Sequence, residues 1–182
     1  MKSPTETNWQ GVIQNLAHWT IPNVLSTNNV ELVQQNEIPS PQRELLHHEE
    51  HMTLVLQRHH GGAVDLHVLR EDLTGSCYRR MITLVRRGSG ETVEFGLVRI
   101  DLDCVPASVR TEILQQSAPL GEILVRHQVL RRVEPRWFLH FRKGHSVLSY
   151  FEGSTTAEAY GRIGVIHCNA QPAIELMEVV PR

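Results

Sequence analysis

The chain has 182 residues, which at about 150 residues per domain amounts to one domain with room for an N-terminal extension. Its 41% apolar content excludes a disordered chain, and 18 Lys+Arg against 20 Asp+Glu leave a formal charge of −2, which excludes binding to nucleic acid or anionic lipid through net field alone. Three scattered cysteines, Cys77, Cys104 and Cys168, fit reduced thiols; no leader-like apolar run or membrane-length stretch is present, so the expected location is the cytoplasm.

Trp9, Val12, Ile13, Leu16 and Trp19 recur at helical steps and predict a first helix that ends at Pro22. Residues 26–41 are polar and read as a connector, so residues 1–40 are expected to pack as a helix plus connector on a body formed by 41–182. A second helix is predicted from Pro41, with Leu45, Leu46, Met52, Val55 and Leu56 as its apolar stripe, until Gly61-Gly62 breaks it. The period then changes to two. Strands are predicted around Val64–Val68, over Cys77–Val85 and, after a turn at Arg86–Glu91, from Thr92 to about Leu102. Pro106 starts a short helix carrying Val109, Ile113 and Leu114, and Ile123–Val125 form a second helical turn. Strands follow over Gln128–Phe141, interrupted at Pro135, and over Ser146–Phe151. The chain closes on a hairpin, Ile163–Cys168 and Ala173–Val180, around Asn169–Pro172. The fold class is α+β, a mainly antiparallel sheet with a few helices.

Most chemical motifs fail. His47-His48-Glu49-Glu50-His51 has two histidines four apart, but a zinc-protease helix needs glutamate directly after the first, so a solvated helix face is expected. Gly88-Ser89-Gly90 lacks the lysine and following helix of a phosphate loop, and no Gly-x-Ser-x-Gly elbow exists. Of the arginine pairs 79–80, 86–87 and 131–132, most members are expected at the surface. Arg80 differs, because it shares a strand face with Ile82 and Leu84; Glu178 likewise shares one with Ile174, Leu176 and Val180. Buried charges need partners. The two residues form either a structural pair across the sheet or a polar site in which Arg80 clamps a ligand carboxylate and Glu178 meets a polar group at its other end.

In order along residues 43–182, Leu45-Leu46 with His51-Met52-Thr53, Arg80-Met81-Ile82-Thr83-Leu84, Pro119-Leu120-Gly121-Glu122-Ile123-Leu124, and Gly161-Arg162 through Pro172 to Glu178-Val179-Val180-Pro181 resemble the chorismate lyases, especially their short bacterial and cyanobacterial branch. The resemblance implies an antiparallel sheet enclosing the ligand beneath helical flaps. Arg80 falls on the family's carboxylate-binding arginine, Leu120 on the residue whose N–H helps hold that carboxylate, with Gly121 and Met52 beside the ligand, and Glu178 on the glutamate that meets its hydroxyl. An ungapped alignment to the enterobacterial pattern would put Met177 at the glutamate position; the short branch's ending favours Glu178, with Glu175 as fallback. His51 stands where serine is common.

The implied reaction is elimination of pyruvate from chorismate to give 4-hydroxybenzoate, driven by aromatisation, without cofactor or metal. Orientation and electrostatic preorganisation would carry it. Glu178 would fix the face from which the C4 proton leaves and, if burial favours its protonated form, assist proton transfer. The enolpyruvyl carboxylate needs a second cation, Arg162 or Arg79. The expected partner is a small-molecule substrate, with no nucleic acid and no membrane, in a monomer or small homo-oligomer. Two alternatives stand beside this: altered chemistry on an aromatic carboxylate, or a small-carboxylate sensor, the latter disfavoured because residues 1–40 hold no basic recognition helix.

Overall fold

The computed structural model describes residues 9–20, 25–151 and 156–182. Among these, the period-two segments become one seven-stranded sheet: β1 (Val30–Val33), β2 (Val64–Thr74), β3 (Cys77–Arg86), β4 (Thr92–Asp101), β5 (Arg131–Phe141), β6 (Ala159–Cys168) and β7 (Gln171–Pro181). Their order is β1-β5-β6-β7-β4-β3-β2, and every neighbouring pair is antiparallel. Five helices cover it: α1 (Trp9–Ala17), α2 (Gln42–Leu46), α3 (Met52–His60), α4 (Ala107–Leu114) and α5 (Leu120–Arg126).

Both sheet faces are covered, which explains why β3 and β4 are buried at almost every position rather than at alternate ones. On one face Ile13 and Leu16 of α1 pack with Phe95, Leu97, Ile163, Met177 and Val179. On the other, α4 and α5 close over Val98, Ile100, Ile166 and Leu176, while α2 and α3 close over Ile82, Leu84, Tyr160 and Val180. The helices α2, α3, α4 and α5 form a cap over the face that carries Arg80.

Several expectations change. The first helix stops at Ala17, and Trp19 instead donates from Nε1 to the Leu16 carbonyl at 2.8 Å; Pro22 lies outside the described residues. The connector contains β1, whose four residues pair with Phe138–Phe141; Pro135 lies beyond that pairing, opposite Gly164 of β6, and the β5–β6 register shifts between it and Trp137. The single helix expected from Pro41 to the Gly61-Gly62 pair is two, because Arg162 Nη1 draws the carbonyls of Leu46 (3.1 Å) and His48 (2.9 Å) away from helical bonding. The expected strand at Ser146–Phe151 is a 3-10 helix, Ser146–Tyr150, started by His145 Nδ1 accepting from the Val147 N–H at 3.1 Å. The closing hairpin turns on two residues, Asn169 and Ala170, both with positive φ, so β7 starts at Gln171 rather than Ala173; β6 is longer at its other end, starting at Ala159.

Candidate functional site

β3 aims Tyr78, Arg80, Ile82 and Leu84 under the helical cap. Arg80 is 2% exposed, yet its Nε and Nη1 have no hydrogen-bond partner among the described residues. Burial lowers its pKa, while the charges of Tyr78, Glu71 and Glu94 and a side-chain hydrogen bond with Tyr78 act in the other direction. The Tyr78 hydroxyl itself donates to Glu71 at 2.6 Å, and burial first, then that bond, pushes its pKa up to about 12. A desolvated guanidinium with no carboxylate paired to it costs several kcal/mol.

Glu178 does not pair with Arg80. Its cross-strand neighbour on β6 is Arg162, whose Nε donates to Glu178 Oε2 at 2.6 Å. Arg162 is 1% exposed and spends its remaining reach on the two carbonyls of the α2–α3 turn, so it ties the cap to the sheet. The structural pair across the sheet therefore exists, but between different residues from those the alternation suggested.

Arg80, Glu178, Leu120, Gly121 and Met52 line one cavity, with Ile82, Leu84, Val98, Ile166 and Leu176 as its apolar walls. Arg80 is opposite Val98, which is opposite Leu176; Glu178 is opposite Gly96, which is opposite Ile82. Arg80 and Glu178 thus stand two strands apart laterally and two residues apart along the strands, about 10 Å by about 7 Å between backbones. The free volume is about 40 Å³, room for about three waters at about 10–15 Å³ each. Arg162 lies behind Glu178 rather than in the wall. Arg79 is on the opposite face of β3 and pairs with Asp72 at 2.8 Å. Glu175 pairs with Arg99, and Met177 packs beneath α1, both on the other face of their strand.

A second carboxyl, Glu94 on β4, lines the same cavity. It is 3% exposed and its Oε2 has no partner; burial first, then the Glu178 charge, raises its pKa well above the ordinary 4.5, with Arg162 and Arg80 opposing. It shares a face with Gly96 and Val98, so the alternation that singled out Arg80 and Glu178 would have found it too.

The histidine run is not a solvated helix face. It forms the α2–α3 turn, with His48 Nε2 2.7 Å from the Leu45 carbonyl and His51 N-terminal to α3, 5% exposed and in the cavity wall. Arg131 Nε donates to His51 Nε2, so that nitrogen carries no proton; burial first, then Arg131, Arg162 and His48, lowers the His51 pKa from 6.5 to about 4. A Cβ on Gly121 would stand 2.6 Å from the His51 Cβ, which is why α5 needs glycine where it meets α3.

The depressed His51 value has a stability consequence. The unfolded chain takes up a proton below about 6.5 and the folded one only near 4, so His51 contributes stability that is complete above 6.5 and lost as pH falls toward 4. At about 1.36 kcal/mol per pH unit the loss is about 3 kcal/mol. Glu94 acts oppositely, its contribution declining as pH rises. In urea titrations from pH 7 to 4, wild type is expected to lose about 3 kcal/mol more than His51→Gln; parallel curves would contradict the assignment.

Among the described residues no group of three or more His, Cys, Asp or Glu side chains could hold a metal ion, and no helix is long and apolar enough to cross a membrane. Burial pushes the Cys168 thiol up to about 11, so it is no ready nucleophile.

No family model matches the sequence, and no curated protein matches it. Similar solved structures include a GntR-family transcriptional regulator from Bacillus cereus, at 7% identity and a TM-score of 0.41 over 64% of this chain and 90% of that one. A possible transcriptional regulator, YydK, from Bacillus subtilis subsp. subtilis str. 168 gives 7% identity and a TM-score of 0.43 over 65% of this chain and 57% of that one. Both scores lie below 0.5, and the functional reading rests on the site itself.

Proposed function

We propose that the protein is a lyase that eliminates pyruvate from chorismate to give 4-hydroxybenzoate. The observation that carries this reading is Arg80: a buried guanidinium with two nitrogens unpartnered among the described residues, at one end of an apolar-walled cavity whose other end holds Glu178. Such an arrangement is complementary to a flat ligand with a carboxylate at one end and a hydroxyl at the other.

Arg80 neutralises and orients the ring carboxylate, and Leu120, as the first residue of α5, has an N–H with no acceptor inside its own helix and available to the same carboxylate. Glu178, held by Arg162, faces the C4 end of the ring and takes the C4 proton. The cavity is too small for a ring when the cap is closed, so substrate enters as α3 and α5 part around the His51–Gly121 contact, and closure then excludes water. Arg162 and Arg79 are both engaged in ion pairs. The enolpyruvyl carboxylate instead meets Arg131, which touches His51 in the cavity wall and has no ion pair among the described residues. Arg131→Ala is expected to raise KM for chorismate at least tenfold while leaving 4-hydroxybenzoate affinity within about twofold; an equal loss in both would contradict that role.

The reading is tested by incubating the full chain with chorismate and quantifying pyruvate and the hydroxybenzoate isomers. A second outcome, binding of 4-hydroxybenzoate with no pyruvate released, would replace the enzyme with a carboxylate-binding module on the same cavity.

A further inference from the structure

The elimination described above uses one carboxyl, but the cavity wall holds two. Gly96 is the residue opposite Glu178, and Glu94 lies two positions from it on the same face of β4. Glu94 is therefore one diagonal step from Glu178, with Cα atoms about 7–8 Å apart. Among the described residues it makes no ion pair within 4 Å, and a buried polar atom left without a partner costs about 1–3 kcal/mol. A partner that arrives with the ligand would remove that cost.

The two carboxyls have opposite surroundings. Glu178 has a guanidinium at 2.6 Å. Glu94 has Leu84 opposite it on β3, and the charged groups that face it, Glu178 on β7, Arg162 on β6 and Arg80 on β3, act only through space; His51 lines the same cavity from the start of α3. Paired carboxyls whose environments separate their protonation states mark an acid and a base at one site.

We infer that Glu94 is the general acid of the elimination, delivering its proton to the enolpyruvyl oxygen as the C3–O bond breaks, while Glu178 accepts the proton from C4. The C4–H electron pair becomes the ring C3=C4 bond, and the C3–O pair leaves on the oxygen that Glu94 protonates. Enolpyruvate then tautomerises to pyruvate. Glu178 ends the cycle with a proton and Glu94 without one, and transfer from Glu178 to Glu94, directly or through one water, resets the site with no oxidant or reductant consumed. Burial favours the protonated form of Glu94 beyond the pH at which an ordinary glutamate ionises, which is the state an acid requires.

This role rests on the chorismate lyase reading, and the test separates the two. Glu94→Gln keeps the shape and a donor N–H but has no transferable proton. In the full chain it is expected to bind 4-hydroxybenzoate within about twofold of wild type and to lower kcat by about 10²–10⁴-fold with little change in KM. Glu94→Asp is expected to recover part of kcat, and the alkaline limb of the wild-type pH profile should vanish in Glu94→Gln. Wild-type kcat in Glu94→Gln, with chorismate turned over normally by the unmodified protein, overturns the acid and leaves the lyase standing. An unmodified protein that binds 4-hydroxybenzoate but releases no pyruvate overturns both. Loss of 4-hydroxybenzoate binding in Glu94→Gln assigns Glu94 to the architecture of the cavity and overturns the proton transfer.

Discussion

Arg80→Met is expected to make the unliganded protein more stable and at the same time useless for its ligand. Among the described residues the guanidinium is 2% exposed with two unpartnered nitrogens and no ion pair, so folding desolvates a charge and satisfies only part of it. Replacing buried charge by apolar side chains of similar volume gains about 1 kcal/mol or more, about 2–4 °C in Tm for a chain of this size. The ligand loses its charged partner, which costs about 2–5 kcal/mol, a drop of about 30-fold to several thousandfold in affinity. Thermal unfolding and 4-hydroxybenzoate titration of the same two proteins check both halves. A lower Tm in Arg80→Met would mean that the arginine is structural.

Arg162→Met is expected to give the reverse. Arg162 holds Glu178 at 2.6 Å and the carbonyls of Leu46 and His48 at 3.1 and 2.9 Å, so its removal strands a buried carboxylate and frees the α2–α3 turn. Breaking a buried pair by deleting one partner costs about 3–5 kcal/mol, which corresponds to about 6–20 °C in Tm. A change below about 1 kcal/mol by urea unfolding would contradict this. Opposite results for two arginines of nearly equal burial would separate a charge that serves a ligand from one that serves the fold.

The sheet and its hairpins were legible because alternation and turn residues are local signals. Arg80 and Glu178 stood out for the same reason, as charges at core positions. Their pairing was not legible, since it depends on register. A turn of four residues at Asn169–Pro172 would have put Ile163 opposite Glu178; the two-residue turn, with a register shift between Ile166 and His167, puts Arg162 there instead. A one-residue change in register thus moves the carboxylate from an apolar neighbour to a cation. The break between α2 and α3 was hidden for a related reason, because the group that ends helical bonding at Leu46 comes from 116 residues away. Glu94 was readable in principle. It sits among Gly96, Val98 and Ile100 on one strand face, and a charge there is as anomalous as Arg80.

Ligand binding should be visible as stability. A ligand that supplies the missing partners of Arg80 acts on the folded state alone, and at about 100 times its Kd it adds about 2.7 kcal/mol, about 5–11 °C in Tm. Binding alone does not distinguish a lyase from a sensor. The most direct measurement is therefore a time course of the full chain with chorismate, following pyruvate by a coupled assay and aromatic product by chromatography against 2-, 3- and 4-hydroxybenzoate, with Arg80→Met run in parallel. Pyruvate and 4-hydroxybenzoate formed in equal amounts, well above the spontaneous rate and lost in Arg80→Met, are the predicted result; a wild-type rate no faster than the spontaneous one would contradict the account.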